Sequence, residues 1–471
     1  MKNKIIYKYV GRVLLTFAAL MILPLIVSIV FKENVICFIV PLMLALIIGL
    51  LLDRIKVESQ TLYAKDGFII VSLSWILISI IGCLPFFINK DCSLVDAFFE
   101  AVSSLTTTGS TIFNNVEKLN QSILFHRCYM QLIGGMGVIT FVMAIVPMSK
   151  NDKSMHLLNA EMPGTSTGKI VPNTKKMLIY LYIIYFSLFG LETLFLMKGN
   201  IDFFHSILIS MATVSTGGLT YLNDSLASLS LYNKYVVSTF MFLSGINFNI
   251  FILLVLRKFK SILKSQELLA YIMIVAFSVT FVLLNTYKLY TNASDALVNS
   301  IFHSISIITS TGFSVGTIDT YPSAAKIILL LLMLVSACSG STCGGFKISR
   351  LIICLKTIKR DILKIIHPNS VHIIRFEGKR IEDDMVNSNS TFLFLYIMFV
   401  FVIMLIVSFD GFSLDTTINA VFSTFANTGL CFDIANFSIF GSVSKIVLSI
   451  GMLLGRLEIF PILVLFSDLK K

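Results

Sequence analysis

Long apolar stretches separated by short polar ones run along nearly the whole chain. Ten of them reach about 20 residues, the length that an α-helix needs to cross the hydrocarbon core of a bilayer. The predicted spanning helices are 11–31, 34–52, 67–88, 122–147, 176–197, 232–256, 267–287, 325–355, 391–409 and 444–466. This pattern predicts an all-α integral membrane protein.

The first two stretches are interpreted as a helical hairpin rather than as a cleaved signal peptide. Lys2, Lys4, Lys8 and Arg12 precede the first apolar run, as basic residues do in a secretory signal. However, a second run at 34–52 follows almost at once, and no clear small-residue cleavage site precedes it. We therefore expect both helices to remain in the protein.

A shorter pattern recurs four times between the later helices: about a dozen Ser/Thr-rich, mildly apolar residues that end in Thr-Gly. The four endings are Thr108-Gly109, Thr216-Gly217, Thr311-Gly312 and Thr428-Gly429. Stretches this short cannot cross the bilayer, so they are predicted to enter the membrane and return. Because non-helical backbone at that depth is tolerated only inside protein or along a watery cavity, four returns predict one shared central cavity.

These elements predict four pseudo-symmetric helix–pore-loop–helix repeats around a central ion pore, preceded by the N-terminal two-helix hairpin. The expected boundaries are 1–58 for the hairpin, then 59–150, 151–262, 263–385 and 386–471 for the four repeats. Four coincidental helix ends are the alternative, which the regular recurrence disfavours.

Composition and charge support a membrane location and suggest an orientation. The chain is 56% hydrophobic and 13% charged, against about 25% charged residues in soluble proteins. With the N-terminus inside, the cytoplasmic segments hold 27 of the 37 Lys and Arg residues, as the positive-inside rule expects. The net charge of +11 therefore reflects topology in a multi-pass protein of the cytoplasmic membrane, not nucleic-acid binding.

Two charged regions each leave a choice open. The predicted outer loops hold 12 acidic against eight basic residues, which either concentrates cations at the pore mouth or reflects ordinary solvated loops. The polar segment 357–390 is too short for a domain. It is a docking surface for a cytoplasmic partner or a solvated linker, and docking is favoured because the other cytoplasmic loops are shorter.

The recurring Thr-Gly sequences suit a cation filter. A monovalent cation that leaves water needs several oxygen ligands, and a ring of backbone carbonyls supplies them without fixed charge. Glycine permits the left-handed backbone that such a ring requires, and helix C-termini that point at the cavity favour a cation. The predicted K+-binding residues are Thr107, Thr108, Gly109, Ser215, Thr216, Gly217, Ser310, Thr311, Gly312, Asn427, Thr428 and Gly429.

The second helix of the third repeat contains a run of glycines and small polar residues that disfavours an unbroken helix. This run predicts an intramembrane gate below the filter, whereas small-residue helix packing is the alternative. The predicted gate residues are Gly340, Ser341, Thr342, Gly344, Gly345 and Arg456. Arg456 falls near the middle of 444–466 and is expected to face the cavity or pair with the gate; a buried pair with Glu192 or Glu458 is the alternative.

The same residues resemble the Trk/Ktr/HKT superfamily of potassium transporters, and most closely its bacterial TrkH branch. The resemblance spans nearly the whole chain. It rests on Thr106-Thr-Thr-Gly109, Ser215-Thr-Gly-Gly218, Ser310-Thr-Gly312, Asn427-Thr-Gly429, Gly134-Gly-Met-Gly137, Glu161-Met-Pro-Gly164, Asn247-Phe248, Ser341-Thr-Cys-Gly-Gly345, His367-Pro-Asn369 and Leu454-Gly-Arg-Leu-Glu-Ile-Phe460. Cys343 departs from the family's usual glycine, and the sequence Leu430-Cys431-Phe432 after the fourth filter loop also differs.

The resemblance implies potassium uptake across the cytoplasmic membrane, a homodimer, and a soluble TrkA-like nucleotide-binding regulatory subunit. It implies potassium as the transported ion and no organic cofactor on this chain, which has no glycine-rich nucleotide fingerprint of its own. Gly109 suits potassium, since a serine there is associated in the superfamily with sodium uptake. Whether transport is channel-like or ion-coupled stays open.

Two other functions remain to be weighed. A sodium-permeable or sodium-coupled transporter of the same fold differs from the first hypothesis only in relative ion flux. An integral membrane enzyme would need acid–base or metal residues gathered at one membrane face, whereas the six histidines are scattered. We therefore expect a transporter rather than an enzyme.

Overall fold

The computed structural model describes residues 3–57, 64–135, 137, 174–370 and 372–469. Within these residues, six helices are long and apolar enough to cross a membrane, and eight spans result if two sharply bent helix pairs count as one span each. Some predicted features fall elsewhere: the helix end near 147, the boundaries at 58/59 and 150/151, and the stretch Glu161-Met-Pro-Gly164 lie outside the described residues.

The N-terminal hairpin comprises α1 (Asn3–Leu20), α2 (Ile22–Val30) and α3 (Ile36–Asp53). Helices α1 and α3 approach closely because glycines meet between them: a Cβ on Gly11 would lie 2.9 Å from the Gly49 carbonyl oxygen. Arg12 Nε donates to Asp53 Oδ1 at 2.8 Å, which ties the start of the hairpin to its end.

Four groups of helices follow, and each contains one short helix that leads toward the centre. The first group has α4 (Ala64–Gly82), α5 (Leu84–Ile88), α6 (Leu94–Leu105) and α7 (Gln121–Gly135). The second has α8 (Thr174–Lys198), α9 (Phe203–Val214), α10 (Leu231–Ser244), α11 (Phe248–Val255) and α12 (Phe259–Leu263).

The third group has α13 (Gln266–Thr286), α14 (Ala293–Ile308), α15 (Ser323–Leu334) and α16 (Ile348–Ile366). The fourth has α17 (Asp383–Val407), α18 (Leu414–Phe425), α19 (Ser442–Arg456) and α20 (Phe460–Leu469). Short 3-10 turns occupy Val116–Lys118, Tyr287–Leu289, Ser408–Asp410 and Phe437–Ile439.

Two small strand pairs flank α16. The strand β1 (Val335–Ser336) pairs in parallel with β2 (Phe346–Lys347), and together they close the loop that interrupts the third group. The strand β3 (Arg375–Phe376) pairs antiparallel with β4 (Lys379–Arg380), which forms a hairpin in the polar segment.

The short helices α6, α9, α14 and α18 are 12, 12, 16 and 12 residues long. This confirms the predicted half-helices. Three of them begin at a side-chain cap, because Ser93, Asp202 and Ser413 accept backbone hydrogen bonds from the first turn. Their C-terminal ends are buried and converge on the centre of the molecule.

The structure interrupts or sharply bends three predicted spans. The interruption of 325–355 is confirmed, since α15 ends at Leu334 and α16 begins at Ile348. The prediction of unbroken helices at 232–256 and 444–466 is wrong: α10 and α11 meet at 91°, and α19 and α20 at 111°. In the second break Glu458 and Ile459 take left-handed φ angles of 55° and 64°, which a continuous helix cannot accommodate.

Candidate functional site

Four loops of closely similar backbone meet where the half-helices end. We name them central loop 1 (107–109), central loop 2 (216–218), central loop 3 (310–312) and central loop 4 (427–429). In each loop the first residue is left-handed, with φ of 53°, 55°, 49° and 57°, and the third is a left-handed glycine, with φ of 86°, 76°, 80° and 75°.

The hydrogen bonds of the four loops are equivalent as well. The middle residue of each loop donates its backbone N–H to a carbonyl five residues earlier in the half-helix. The acceptors in loops 1 to 4 are Ser103 at 2.9 Å, Ala212 at 2.7 Å, Ser306 at 2.9 Å and Ser423 at 2.8 Å. Dihedral angles and hydrogen bonds therefore define one register for all four loops.

This register corrects the sequence alignment of central loop 2. Matching Thr-Gly to Thr-Gly places Gly217 with Gly109, whereas the structure places Gly218 there and moves Ser215 out of the loop. The dipeptide pattern is ambiguous because two glycines stand side by side. Only the left-handed φ of Gly218 identifies it as the equivalent of the other three glycines.

The four loops close into a ring in chain order. A Cβ on Gly109 would lie 2.2 Å from the Gly217 carbonyl oxygen, and a Cβ on Gly218 would lie 1.8 Å from that of Thr311. The corresponding distances are 1.8 Å from Gly312 to Thr428 and 2.1 Å from Gly429 to Thr108. Each glycine therefore has no room for a side chain, because the next loop's backbone carbonyl occupies that place.

A cavity of about 510 Å³ opens on one side of the ring. Its floor includes one glycine from each central loop, namely Gly109, Gly218, Gly312 and Gly429, and its walls are the segments that follow the loops. The charged residues that line it are Arg127, Asp224, Asp319 and Asp433. Three acidic residues and one basic residue therefore line this cavity.

Central loop 1 is braced by a buried ion pair. Arg127 Nε donates to Glu100 Oε1 at 2.7 Å, and the two side chains are 1% and 0% exposed. Glu100 Oε2 also accepts the backbone N–H of Ile112 at 3.0 Å. Because Ile112 follows Gly109 by three residues, this carboxylate holds the backbone that leaves the loop.

Central loop 3 has a neutral counterpart at the same position. His303 Nε2 accepts the backbone N–H of Val315 at 3.3 Å, and Val315 likewise follows its loop glycine by three residues. His303 Nδ1 lies 2.9 Å from the Tyr321 hydroxyl, which is itself 2.9 Å from the Tyr290 hydroxyl. Loops 1 and 3, which lie opposite each other in the ring, are therefore braced alike.

Hydroxyl groups repeat this pairing. Ser103 Oγ donates to the Ser110 carbonyl at 2.6 Å, and Ser306 Oγ donates to the Phe313 carbonyl at 2.7 Å. Thr108 Oγ1 lies 2.7 Å from its neighbour Thr106 Oγ1. In loop 3, Thr311 Oγ1 and Thr309 Oγ1 form the same pair at 2.8 Å.

Central loops 2 and 4 are held from outside instead. Gln131 of α7 donates to the Gly217 carbonyl at 2.5 Å and accepts from the Leu219 backbone at 3.3 Å. Asn427 of loop 4 donates to the Met452 carbonyl of α19 and to Thr108 Oγ1, both at 2.9 Å. The hydroxyl groups of Ser423 and Thr428 have no hydrogen-bond partner among the described residues.

The loop that interrupts the third group, here the interrupting loop (337–345), lies against the side of the ring opposite the cavity. Gly344 donates its backbone N–H to Ser310 Oγ at 3.0 Å, and a Cβ on Gly344 would lie 2.7 Å from that of Asn427. Thr342 Oγ1 donates to the Val214 carbonyl at 3.1 Å. The loop therefore contacts the C-terminal end of α9 and central loops 3 and 4.

Arg456 joins the interrupting loop to the first group. Its two terminal nitrogens donate to the Thr342 carbonyl at 2.6 Å and to the Gly134 carbonyl at 2.9 Å. The expected mid-helix location is wrong, because Arg456 is the last residue of α19, at the bend. Glu458 forms an ion pair with Arg350.

Lys347 is a second cation at the interrupting loop, and sequence reasoning missed it. Its Nζ donates to the carbonyls of Cys343 and Gly344, the latter at 3.1 Å, and its side chain is buried. Glu100, His303 and Gln131 were missed as well. A polar residue nine positions before the loop glycine marks Glu100 and His303 in the sequence, whereas no local pattern marks Gln131.

The comparisons with known proteins cover nearly the whole chain. The family model described as "TrkH: Cation transport protein" matches residues 36–470. The Trk system potassium uptake protein TrkH of Escherichia coli K12 is 30% identical, with 99% of each chain covered. TrkG of the same organism is 29% identical, over 97% of this chain and 96% of TrkG.

A solved structure agrees with the fold. The crystal structure of the potassium transporter TrkH from Vibrio parahaemolyticus superposes with a TM-score of 0.88, at 27% identity, over 99% of this chain and 98% of that one. The prediction of an all-α membrane transporter rather than an enzyme is thereby confirmed. The chain belongs to the TrkH family of cation transport proteins.

Proposed function

We propose that this chain takes up potassium through the ring of central loops. The observation that carries the proposal is the ring itself: four equivalent loops, each with two left-handed residues, in which a glycine contacts the next loop's carbonyl. Backbone carbonyls arranged around one passage replace the water shell of a monovalent cation. The relatives named as potassium uptake proteins support the choice of ion.

In this proposal the filter residues are Thr107, Thr108, Gly109, Thr216, Gly217, Gly218, Ser310, Thr311, Gly312, Asn427, Thr428 and Gly429. The set differs from the sequence prediction by the replacement of Ser215 with Gly218. The cavity with Asp224, Asp319 and Asp433 in its lining is the outer entrance. An acidic entrance raises the local concentration of cations.

The interrupting loop is the proposed gate, with Gly340, Ser341, Thr342, Gly344, Gly345 and Arg456 as its main residues. Its support is its position: it contacts two central loops on the side opposite the cavity. Arg456 holds the loop through the Thr342 carbonyl and places a positive charge near the passage. A cation in the pathway is repelled while this contact persists.

Three further proposals follow from family membership. The chain assembles as a homodimer in the cytoplasmic membrane, its N-terminus lies inside, and a TrkA-like nucleotide-binding subunit docks on the polar segment 357–390. The charge asymmetry of the loops supports the orientation. Mass photometry of the detergent-purified protein tests the dimer, and co-purification tests the regulatory subunit.

Rubidium and sodium flux into vesicles, with and without a TrkA-like subunit, tests the main proposal. We expect saturable rubidium uptake that exceeds sodium uptake, and Gly109→Ser should lower this ratio. Absence of flux with the partner supplied contradicts potassium uptake. Sodium flux that equals or exceeds rubidium flux identifies a sodium-permeable transporter instead.

Replacing Arg456 tests the gate separately. Arg456→Ala removes two hydrogen bonds that hold the interrupting loop, so rubidium flux without the partner should rise. Arg54→Ala, which changes an exposed arginine, is the matched control and should leave flux unchanged. Equal flux in both variants contradicts a gating role for Arg456.

A further inference from the structure

Glu267 holds the first half of the interrupting loop by a cluster of short hydrogen bonds. Its Oε1 accepts from the Ser339 backbone N–H at 2.6 Å and from Ser339 Oγ at 2.8 Å. Its Oε2 lies 3.0 Å from the same hydroxyl. The side chain is only 3% exposed, so the carboxylate reaches the loop through protein, not through solvent.

Glu267 belongs to the first turn of α13, and a second carboxylate caps that turn. Glu377 Oε1 accepts from the backbone N–H of Glu267 and from Ser265 Oγ, each at 3.0 Å. A negative charge is favourable at this place, because the first N–H groups of a helix lack partners within it. One glutamate thus binds the backbone of the residue whose side chain binds the interrupting loop.

The turn between β3 and β4 places Glu377 there. Glu377 and Gly378 are both left-handed, with φ of 49° and 76°, as a two-residue hairpin turn requires. A left-handed conformation is uncommon for a non-glycine residue. The hydrogen bonds that Glu377 makes to Ser265 and Glu267 hold its side chain at the start of α13.

The hairpin has a small core of its own within the polar segment 357–390 and its neighbours. Ile374, Phe376 and Ile381 pack with Ile353 of α16 and Val386 of α17. Lys356 adds two bonds, to Gln266 Oε1 at 2.5 Å and to the Arg375 carbonyl at 2.7 Å. The hairpin is therefore a folded element fastened to the start of α13.

We propose that Glu267 is a positioning residue for the interrupting loop and that Glu377 connects it to the β3–β4 hairpin. A displacement of the hairpin then acts on the loop through two hydrogen-bonded carboxylates. This inference rests on the proposed function, in which the interrupting loop is the gate. It adds a specific route by which the cytoplasmic segment controls that gate.

The two halves of the interrupting loop are held by different residues, and only one of these anchors is bonded to the hairpin. Its second half is held by Arg456, the last residue of α19, and by Lys347 of β2. Its first half is held by Glu267, and by Phe248, whose backbone N–H donates to the Gly340 carbonyl at 3.1 Å. Among these four anchors, Glu267 is the one hydrogen-bonded to the hairpin.

The experiment compares Glu267→Gln, Ser339→Ala and Glu377→Gln with the wild-type chain in vesicles. Glu382→Gln is the matched control, since it removes an exposed carboxylate from the same polar segment. Peptide mass spectrometry measures the rate at which N-ethylmaleimide labels Cys343, which is buried in the interrupting loop. Cys128 of α7, also buried, reports general loss of structure in the same samples.

We expect N-ethylmaleimide to label Cys343 about fivefold faster in Glu267→Gln and in Ser339→Ala than in the wild type. In these variants a charge-assisted hydrogen bond is replaced by a weaker one or by none. Glu377→Gln should give a smaller increase, and Glu382→Gln none. Labelling of Cys128 should stay constant. Maximal rubidium flux should rise while the half-saturating concentration stays unchanged, since the central loops are intact.

Unchanged Cys343 labelling in both Glu267→Gln and Ser339→Ala overturns the role of Glu267. Equal labelling in Glu377→Gln and Glu382→Gln overturns the connection to the hairpin. Faster labelling of Cys128 together with Cys343 indicates a general loss of structure and also overturns the positioning role of Glu267. If Cys343 labelling rises but flux stays constant, here and in Arg456→Ala, the gate proposal fails while the positioning role stands.

Discussion

Central loops 1 and 3 differ from central loops 2 and 4 in how they are held. Each loop of the first pair is braced by its own half-helix, through Glu100 or His303 nine residues before the glycine. Each loop of the second pair depends on a neighbouring helix, through Gln131 of α7 or through Asn427 and α19. Fourfold similarity therefore applies to the backbone, whereas the supporting side chains follow a twofold pattern.

If the ring is the proposed filter and the interrupting loop the proposed gate, this difference predicts different roles for the two pairs of loops. Braced loops hold their carbonyl oxygens at fixed positions, since buried hydrogen bonds in a low-dielectric surrounding are costly to break. Of the central loops, 3 and 4 also contact the interrupting loop. We therefore expect substitutions in loops 1 and 3 to alter ion selectivity, and substitutions around loop 4 to alter gating.

The largest effect is expected where loop 2 differs from the others in sequence. Gly218→Ala places a Cβ 1.8 Å from the Thr311 carbonyl oxygen at a left-handed φ of 76°, so rubidium uptake should fall to background. Gly217→Ala brings its Cβ within 2.4 Å of Gln131 Cδ. It therefore displaces a side chain that holds central loop 2 rather than a backbone carbonyl of the ring, and part of the uptake should remain. A larger loss of uptake in Gly217→Ala than in Gly218→Ala would instead support the alignment of Gly217 with Gly109 that the sequence alone suggests.

Next in size is the loss of the ion pair behind loop 1. Arg127→Met leaves the Glu100 carboxylate buried without its charge partner, which costs about 3 kcal/mol or more. A thermal shift monitored by size exclusion should show lower stability. Lys326→Met breaks a more exposed pair with Asp319, whose side chains are 26% and 67% exposed, and should cost about 1 kcal/mol or less. Equal losses would argue against a special role for the buried pair.

A smaller change is expected at His303. His303→Leu removes the acceptor of the Val315 N–H and a partner of the Tyr321 hydroxyl, a loss of about 1–2 kcal/mol. The rubidium-to-sodium flux ratio should fall severalfold. His303→Gln keeps an acceptor and should keep most of the ratio. If both variants have the flux ratio of the wild type, the hydrogen bonds of His303 do not contribute to the selectivity of central loop 3.

The smallest effects distinguish serines at equivalent positions. Ser103→Ala and Ser306→Ala each remove one hydrogen bond to the backbone after the loop, worth about 1 kcal/mol. Ser423→Ala removes a hydroxyl that has no partner among the described residues and should be neutral. The rubidium-to-sodium flux ratio is measured for all three variants. A larger effect at Ser423 than at Ser103 would contradict the difference in support between central loops 1 and 4.

Sequence reasoning recovered the parts of the site that depend on local composition. The half-helices follow from the length of the apolar stretches, and the interruption near Gly340 follows from glycines that disfavour helix. It failed to predict the bend after Arg456, because the apolar residues on both sides of Arg456 are typical of one continuous helix. The bend after Arg456 depends on left-handed residues at 458 and 459, and neither glutamate nor isoleucine signals that conformation.

The sequence by itself determined the membrane class, the four half-helices and three of the four glycines that face neighbouring backbone, because apolar length and glycine content act locally. Only the tertiary structure decided the register of central loop 2. The sequence does not distinguish Gly217 from Gly218, whereas in the structure Gly218 is the one that lies against the Thr311 carbonyl of the next loop. The same holds for Glu267, Ser339 and Glu377. They lie 72 and 110 residues apart along the chain, and only packing brings their polar atoms within hydrogen-bond distance.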